Sequence, residues 1–305
     1  MRAAPAALAA LALLGAGCAD PAGDEPAGAG AIPPSERWEA IARELGGPEN
    51  PASPNVCNRG ERACVEEVVS EMRRRFDVLA AACDHKAAFA FMYLQVTEGV
   101  GDDGTRIFRD PEYLNHLDAV FAHLYFSAFD SFTRGNDVPA AWRVAFEAAD
   151  ARRVTGLGDM LLGMNAHISR DLPFALADIG LETAEGESGR PDYDRVNGLL
   201  ADVQEPMLAA ASELLDPSIA GFRLDALDFS ARDVADLIAT WRSEAYRNAE
   251  TLIAAPTPAA RAKEAARIER NAESRARVLE MAMSYALLGE TTAERDAYCA
   301  RRTAG

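Results

Sequence analysis

Residues 230–252 read SARDVADLIATWRSEAYRNAETL, and this stretch decides the fold class. Ser230 is an N-cap residue, and Asp233 stands three places on as its capping-box partner. Phe229 and Val234 flank the cap at staple positions. Val234, Leu237, Ile238, Trp241, Ala245, Ala249 and Leu252 then recur at helical spacing, as one apolar stripe. The same grammar repeats outward from there. Thr257-Pro258 opens a helix with Pro at its first position; it runs through alternating Arg and Glu to Leu288, and Gly289 ends it. Asp110-Pro111 opens another over 111–131, and Ser35 opens a short one that stops at Gly46-Gly47. Residues 61–82 form a charged amphipathic segment. Residues 84–98, DHKAAFAFMYLQVTE, are apolar on nearly every side, as a central buried helix would be. No Asn-Gly or Asp-Gly turn sits between alternating strands. Loops are expected at 99–109, 132–139, 182–192 and 216–228. The pattern predicts an all-α fold: a single-domain helical bundle over 35–300 with its central helix near 84–98.

The chain has 305 residues, of which 49% are hydrophobic and 26% charged, so it can bury a core and is not a disordered polymer. It carries 31 basic against 48 acidic residues, a net charge of -17. Nucleic-acid binders draw affinity from basic contacts to phosphate, so nucleic acid is not an expected partner. No apolar run reaches the roughly 18 residues of a spanning helix.

The N-terminus carries an address. Arg2 is followed by an almost wholly Ala, Leu and Gly stretch, Ala3 to Gly17, which reads as an export signal and not as an anchor helix. It ends Leu13-Leu14-Gly15-Ala16-Gly17-Cys18, similar to a bacterial lipobox, with Gly15 where Leu is usual. The expected organisation is a lipoprotein-type signal peptide over 1–18, lipidated at Cys18, then a flexible Ala/Gly/Pro tether over 19–34. The alternative is an ordinary signal cut near Ala16. The protein is expected to be exported to the cell envelope, tethered to the membrane by its lipid, or periplasmic or secreted in the alternative. Export places Cys57, Cys64, Cys83 and Cys299 in an oxidising compartment. Four cysteines allow three pairings, among which the sequence does not choose. Cys57–Cys64, across the short turn Asn58-Arg59-Gly60, is favoured, which leaves Cys83–Cys299 as a long-range clasp. Without a C-x-x-C pair, zinc is the less favoured use of these thiols.

One segment carries chemistry. Residues 157–176 read LGDMLLGMNAHISRDLPFAL. On a helix, Met160, Met164, Ile168 and Leu172 share a broad apolar face, and His167 and Asp171 fall within it, one turn apart. Gly163 lies a turn before His167 and is expected to leave space over it. Asn165 sits at the edge of the stripe. Two ionisable groups on an apolar face are costly unless paired or coordinated. In a structural reading His167 and Asp171 lock each other in the core, or Asp171 caps a helix that Pro173 helps begin. In a functional reading Asp171 orients His167, which serves as base or ligand, while Asn165 offers an amide to an oxyanion. Tyr93, Thr97 and Glu98 would then face the pair from the central helix as ligand-binding residues. Access separates the two: a site needs a cavity reaching His167, and a lock needs none. His116 and His123, seven apart, are read with Ser127 and Asp130 as a solvated edge of helix 111–131. His85 is read as a surface residue, and the charged run 261–277 as a solvated face with i,i+4 pairs. There is no Gly-x-Ser-x-Gly elbow, phosphate-cradling Gly loop or His-Glu-x-x-His.

The stretch Gly163-Met164-Asn165-Ala166-His167-Ile168-Ser169-Arg170-Asp171-Leu172-Pro173 resembles the signature of a bacterial family, domain-of-unknown-function family 5995. Tyr93-Leu94-Gln95-Val96-Thr97, Phe108-Arg109-Asp110-Pro111, the aromatic run Leu117 to Phe126, Trp142, Trp241-Arg242 and Ala245-Tyr246 are similar to its other elements, over roughly 60–285. His123 departs from it, standing where Asn is usual. The resemblance implies a helical domain and no assigned activity. His-x-x-x-Asp-Leu with a nearby Pro is also similar to one ligand pair of the zinc-dependent phospholipase C family. That family's multi-zinc site needs more histidines than His85, His116, His123 and His167, so this likeness implies one divalent metal such as zinc, held by His167, Asp171 and His116 or Glu98. Two functions are therefore expected. One is a cell-envelope protein whose buried His/Asp pair is structural or binds a small-molecule or lipid ligand. The other is a metal-dependent hydrolase-like enzyme using His167 and Asp171.

Overall fold

A computed structural model describes residues 30–221 and 231–303. The signal segment with Cys18, most of the tether, Phe229 and the Ser230 cap lie outside the described residues. The elements in chain order are α1 Glu36–Ala42, α2 Arg62–Ala81, α3 Ala87–Ile107, α4 Pro111–Thr133, α5 Ala140–Asp150 and α6 Gly156–Met164. A π-helical turn, Asn165–Asp171, follows directly and leads into α7 Leu172–Ile179. Then come α8 Arg190–Leu214, α9 Ser218–Gly221, α10 Ala231–Ile253, α11 Pro258–Ala282, α12 Tyr285–Leu288 and α13 Ala293–Thr303. The fold is all-α; among the described residues β-structure is limited to the isolated bridges Val154–Ser284 and Glu182–Ser188.

The helix starts follow from local chemistry. Ser35, Asp110 and Thr257 each accept a hydrogen bond from a first-turn amide, at Trp38, Tyr113 and Ala260. Such caps satisfy donors that the helix itself leaves open. Residues 84–94 are buried without a break, so α3 is the central helix. It packs on α2, α4, α6 and α8. Apolar burial of this kind stabilises by about 1.5–3 kcal/mol for each large side chain.

Four expectations are corrected. The loop expected over 99–109 is helix as far as Ile107. Its glycines serve packing: a Cβ on Gly99 would stand 2.8 Å from the Val203 side chain of α8. Helix α11 stops at Ala282, because Ser284 caps the separate short α12, which ends at Gly289 in the left-handed conformation. The tether is not free to its end, since Ile32 is buried in the core and Arg74 donates to the Pro33 carbonyl at 2.6 Å. His85 is not on the surface. It is buried between Arg295 at 3.0 Å and Asp296 at 3.1 Å, and Arg295 also holds Asp159 at 2.6 Å. This polar cluster fastens α13 to the body beside the Cys83–Cys299 disulfide. Cys57 and Cys64 form the other disulfide.

Candidate functional site

Pro173 shapes the site. Proline has no amide to give the Ser169 carbonyl, and its ring collides with that carbonyl in a regular helix. The chain widens just before it. The Leu172 amide bonds the His167 carbonyl, five residues back, which makes 165–171 a π turn between α6 and α7. Such turns are rare and cluster at functional sites. This one packs against α4, α5, α10 and α11, and it keeps His167 and Asp171 on one face.

Asp171 is fully buried and fully used. Its Oδ2 accepts from the Trp142 indole N–H at 2.8 Å and faces His167 Nδ1 at 3.2 Å. Its Oδ1 accepts from Arg170 at 2.9 Å. A carboxylate can only accept, so the proton between the pair sits on His167 Nδ1. Burial lowers the His167 pKa from its ordinary value, against the pull of Asp171, so the ring is neutral and Nε2 carries a lone pair. The ring is gripped from its flanks. Phe121 stacks on it at 3.4 Å between centroids and Tyr93 meets it edge-on at 4.5 Å. Nε2 itself has no partner among the described residues.

The His167 side chain lines a cavity of about 570 Å³, walled mainly by apolar side chains of α3, α4, α6, α8 and α10. Tyr93, Thr97 and Asp118 line it too, and each holds a buried polar atom without a partner among the described residues: Oη, Oγ1 and Oδ2. Burial pushes the Asp118 carboxyl up to about 7 and the Tyr93 phenol well above its ordinary value. Buried polar groups in native proteins are nearly always satisfied, so four orphans around one chamber point to a ligand. The model of the Family of unknown function (DUF5995) matches residues 65–281. The chain belongs to this family. No curated protein and no solved structure matches it. The DUF5995 match spans every wall of the chamber, from Phe89 to Arg242. It lends nothing to the zinc-dependent phospholipase C likeness.

The expected site residues part company here. His167, Tyr93 and Thr97 meet at the chamber, with Asp171 directly behind His167. Asn165 does not join them: it is buried outside the chamber and donates to the Ala272 carbonyl of α11 at 2.9 Å. Glu98 turns away to an ion pair with Arg73 and a hydrogen bond from Gln95 at 2.8 Å. The space over His167 at Gly163 is filled by Phe89, whose ring would lie 2.3 Å from a Cβ there. The metal set His167, Asp171 and His116 is not brought together. His116 is buried with Nδ1 on the Cys57 carbonyl at 2.9 Å and Nε2 on the Gly47 carbonyl at 2.8 Å, and so pins two loops. Among the described residues no three His, Cys, Asp or Glu side chains are grouped to hold a metal ion. These residues do not fit the implied zinc. Of the supposed solvated edge of α4, His116 and Asp130 are buried, Asp130 against Arg75, while His123 and Ser127 are half-buried.

Asp118 and Arg242 were not singled out from the sequence. The signal was an acid inside the apolar run Leu117-Asp118-Ala119-Val120, the same anomaly that drew attention to Asp171. Its raised pKa has a testable sign. Stability present at low pH is lost as pH rises from 3.8, the ordinary value, through about 7. Asp118→Asn cannot ionise, so it should gain on wild type between about pH 4 and about pH 7 and hold that gain above it, by on the order of 1–3 kcal/mol in urea unfolding. A difference that does not change with pH contradicts this assignment.

Proposed function

We propose that the protein is an exported, lipid-anchored envelope protein whose chamber binds an elongated apolar small molecule against His167. One observation carries the binding reading: the cavity is lined by His167, whose buried Nε2 has no partner among the described residues. A structural lock has no use for either feature. Mostly apolar walls with a few convergent polar atoms are the usual make-up of a small-molecule site. Decyl amphiphiles, 1-decanol or decanoate, test it by thermal unfolding. At ~100-fold excess over Kd a bound ligand adds about 2.7 kcal/mol to the folded state, and the midpoint rises accordingly. His167→Phe keeps the stack on Phe121 and should weaken that rise. No rise with either amphiphile contradicts the reading.

A catalytic reading is favoured by a separate observation. Asp171 leaves His167 as a neutral base, and Asp118 beside the same space titrates at about 7. Two groups so tuned can take a proton from a hydroxyl or water and return one to a leaving group. Hydrolysis of a decyl ester that is lost in His167→Phe would support it.

A further inference from the structure

Arg242 lines the same chamber from α10. It is 7% exposed, yet its partners are all neutral. Nε donates to the Asn197 side-chain oxygen at 2.8 Å and Nη2 to the Tyr193 carbonyl at 2.7 Å. The Tyr193 ring lies 4.2 Å from the guanidinium carbon, and the Tyr193 hydroxyl donates back to the Arg242 carbonyl at 2.7 Å. The side chain is therefore fixed between α8 and α10. A guanidinium has five N–H donors in a rigid fork, and only two are committed here. Among the described residues Nη1 donates to nothing, and no carboxylate lies within ion-pair distance. Elsewhere in this protein the buried arginines are paired with acids: Arg75 with Asp130, and Arg295 with Asp159. Burial pulls the Arg242 pKa below its ordinary value, against the more distant pull of Tyr193 and Asp194.

We propose that the chamber selects anionic amphiphiles, specifically chain carboxylates, whose head docks on the free edge of Arg242. A carboxylate matches the planar fork and supplies the charge that the protein omits. The apolar walls then take the chain. This inference rests on the chamber reading above and adds the chemical class of the ligand.

Titration calorimetry with decanoate and with 1-decanol tests it on the wild-type protein. The chain is the same in both, so the comparison isolates the head. Decanoate should bind at least about 10-fold more tightly than 1-decanol, as a charged hydrogen-bonded pair implies. Arg242→Gln should erase that preference while leaving 1-decanol within about 3-fold of wild type, and Arg242→Lys should retain part of it. Equal binding of the two by wild type overturns the carboxylate inference and leaves the chamber reading standing. Preference that survives in Arg242→Gln moves the anion elsewhere and also overturns the inference. Binding of neither removes the chamber reading and this inference with it.

Discussion

Asp171→Ala should be less stable than wild type by roughly 3–5 kcal/mol in urea unfolding, because it orphans two buried donors at about 1–3 kcal/mol each and opens a small void. Those donors are the Trp142 indole N–H and His167 Nδ1–H, which share one carboxylate oxygen. Arg170 keeps its second partner, Glu269, at 2.7 Å and suffers less. Asp171→Asn keeps the shared oxygen and removes the charge. The amide oxygen still accepts from Trp142 and from His167 Nδ1, while its NH2 group meets the Arg170 guanidinium, donor against donor. That variant should lose less stability than Asp171→Ala and leave the ring proton on Nδ1. Asp171→Ala as stable as wild type would mean that the Trp142–Asp171–His167 chain is incidental.

The second large effect lies far from the chamber. Arg75, 1% exposed, donates to Glu71 at 2.7 Å and to both oxygens of Asp130, at 2.6 and 3.1 Å. The guanidinium also sits over the Phe126 ring at 4.7 Å. The network ties α2 to α4, and Glu71 extends it to the start of α1 through the Ser35 amide at 3.2 Å. Arg75→Leu strands Asp130 as a buried charge without a partner and should cost about 3–5 kcal/mol. Adding Asp130→Leu should recover a good part of this, since a buried pair replaced whole by apolar groups loses little. Chemical denaturation of the single and double variants gives the coupling directly. A double variant as unstable as the sum of its parts would show that the pair is not the cause.

What was legible in the sequence was local. Ser35, Asp110 and Thr257 announce helices because a cap acts within one turn of its own residue. The unbroken apolar run of α3 announces a central helix for the same reason. The His167–Asp171 pairing was legible because i,i+4 neighbours meet on any helix. The rest depends on elements far apart in the chain. Gly163 looked like empty space, and only the approach of α3 shows that Phe89 fills it. His116 looked like a ligand until the loops bearing Gly47 and Cys57 closed over it. The regular helical wheel over 157–176 missed the π turn, although Pro173 is its local cause. The chamber itself was illegible, because it is the gap left between five helices and no one of them encodes it.

His167 is a neutral imidazole with its proton on Nδ1 and an Nε2 without a partner among the described residues, and its side chain lines the chamber. Nitrogen-15 spectroscopy of the histidine rings reads this directly, and with 4 histidines in the chain the spectrum is simple. The His167 pKa lies below its ordinary value of 6.5, so the stability of the neutral ring is present above that pH and is lost as pH falls through it. The His167 ring should stay neutral down through about pH 6.5, protonated at Nδ1. Its Nε2 resonance should move when decanoate or 1-decanol is added while Nδ1 holds still. A His167 protonated at Nε2, or an Nε2 resonance indifferent to an amphiphile that demonstrably binds, would contradict it.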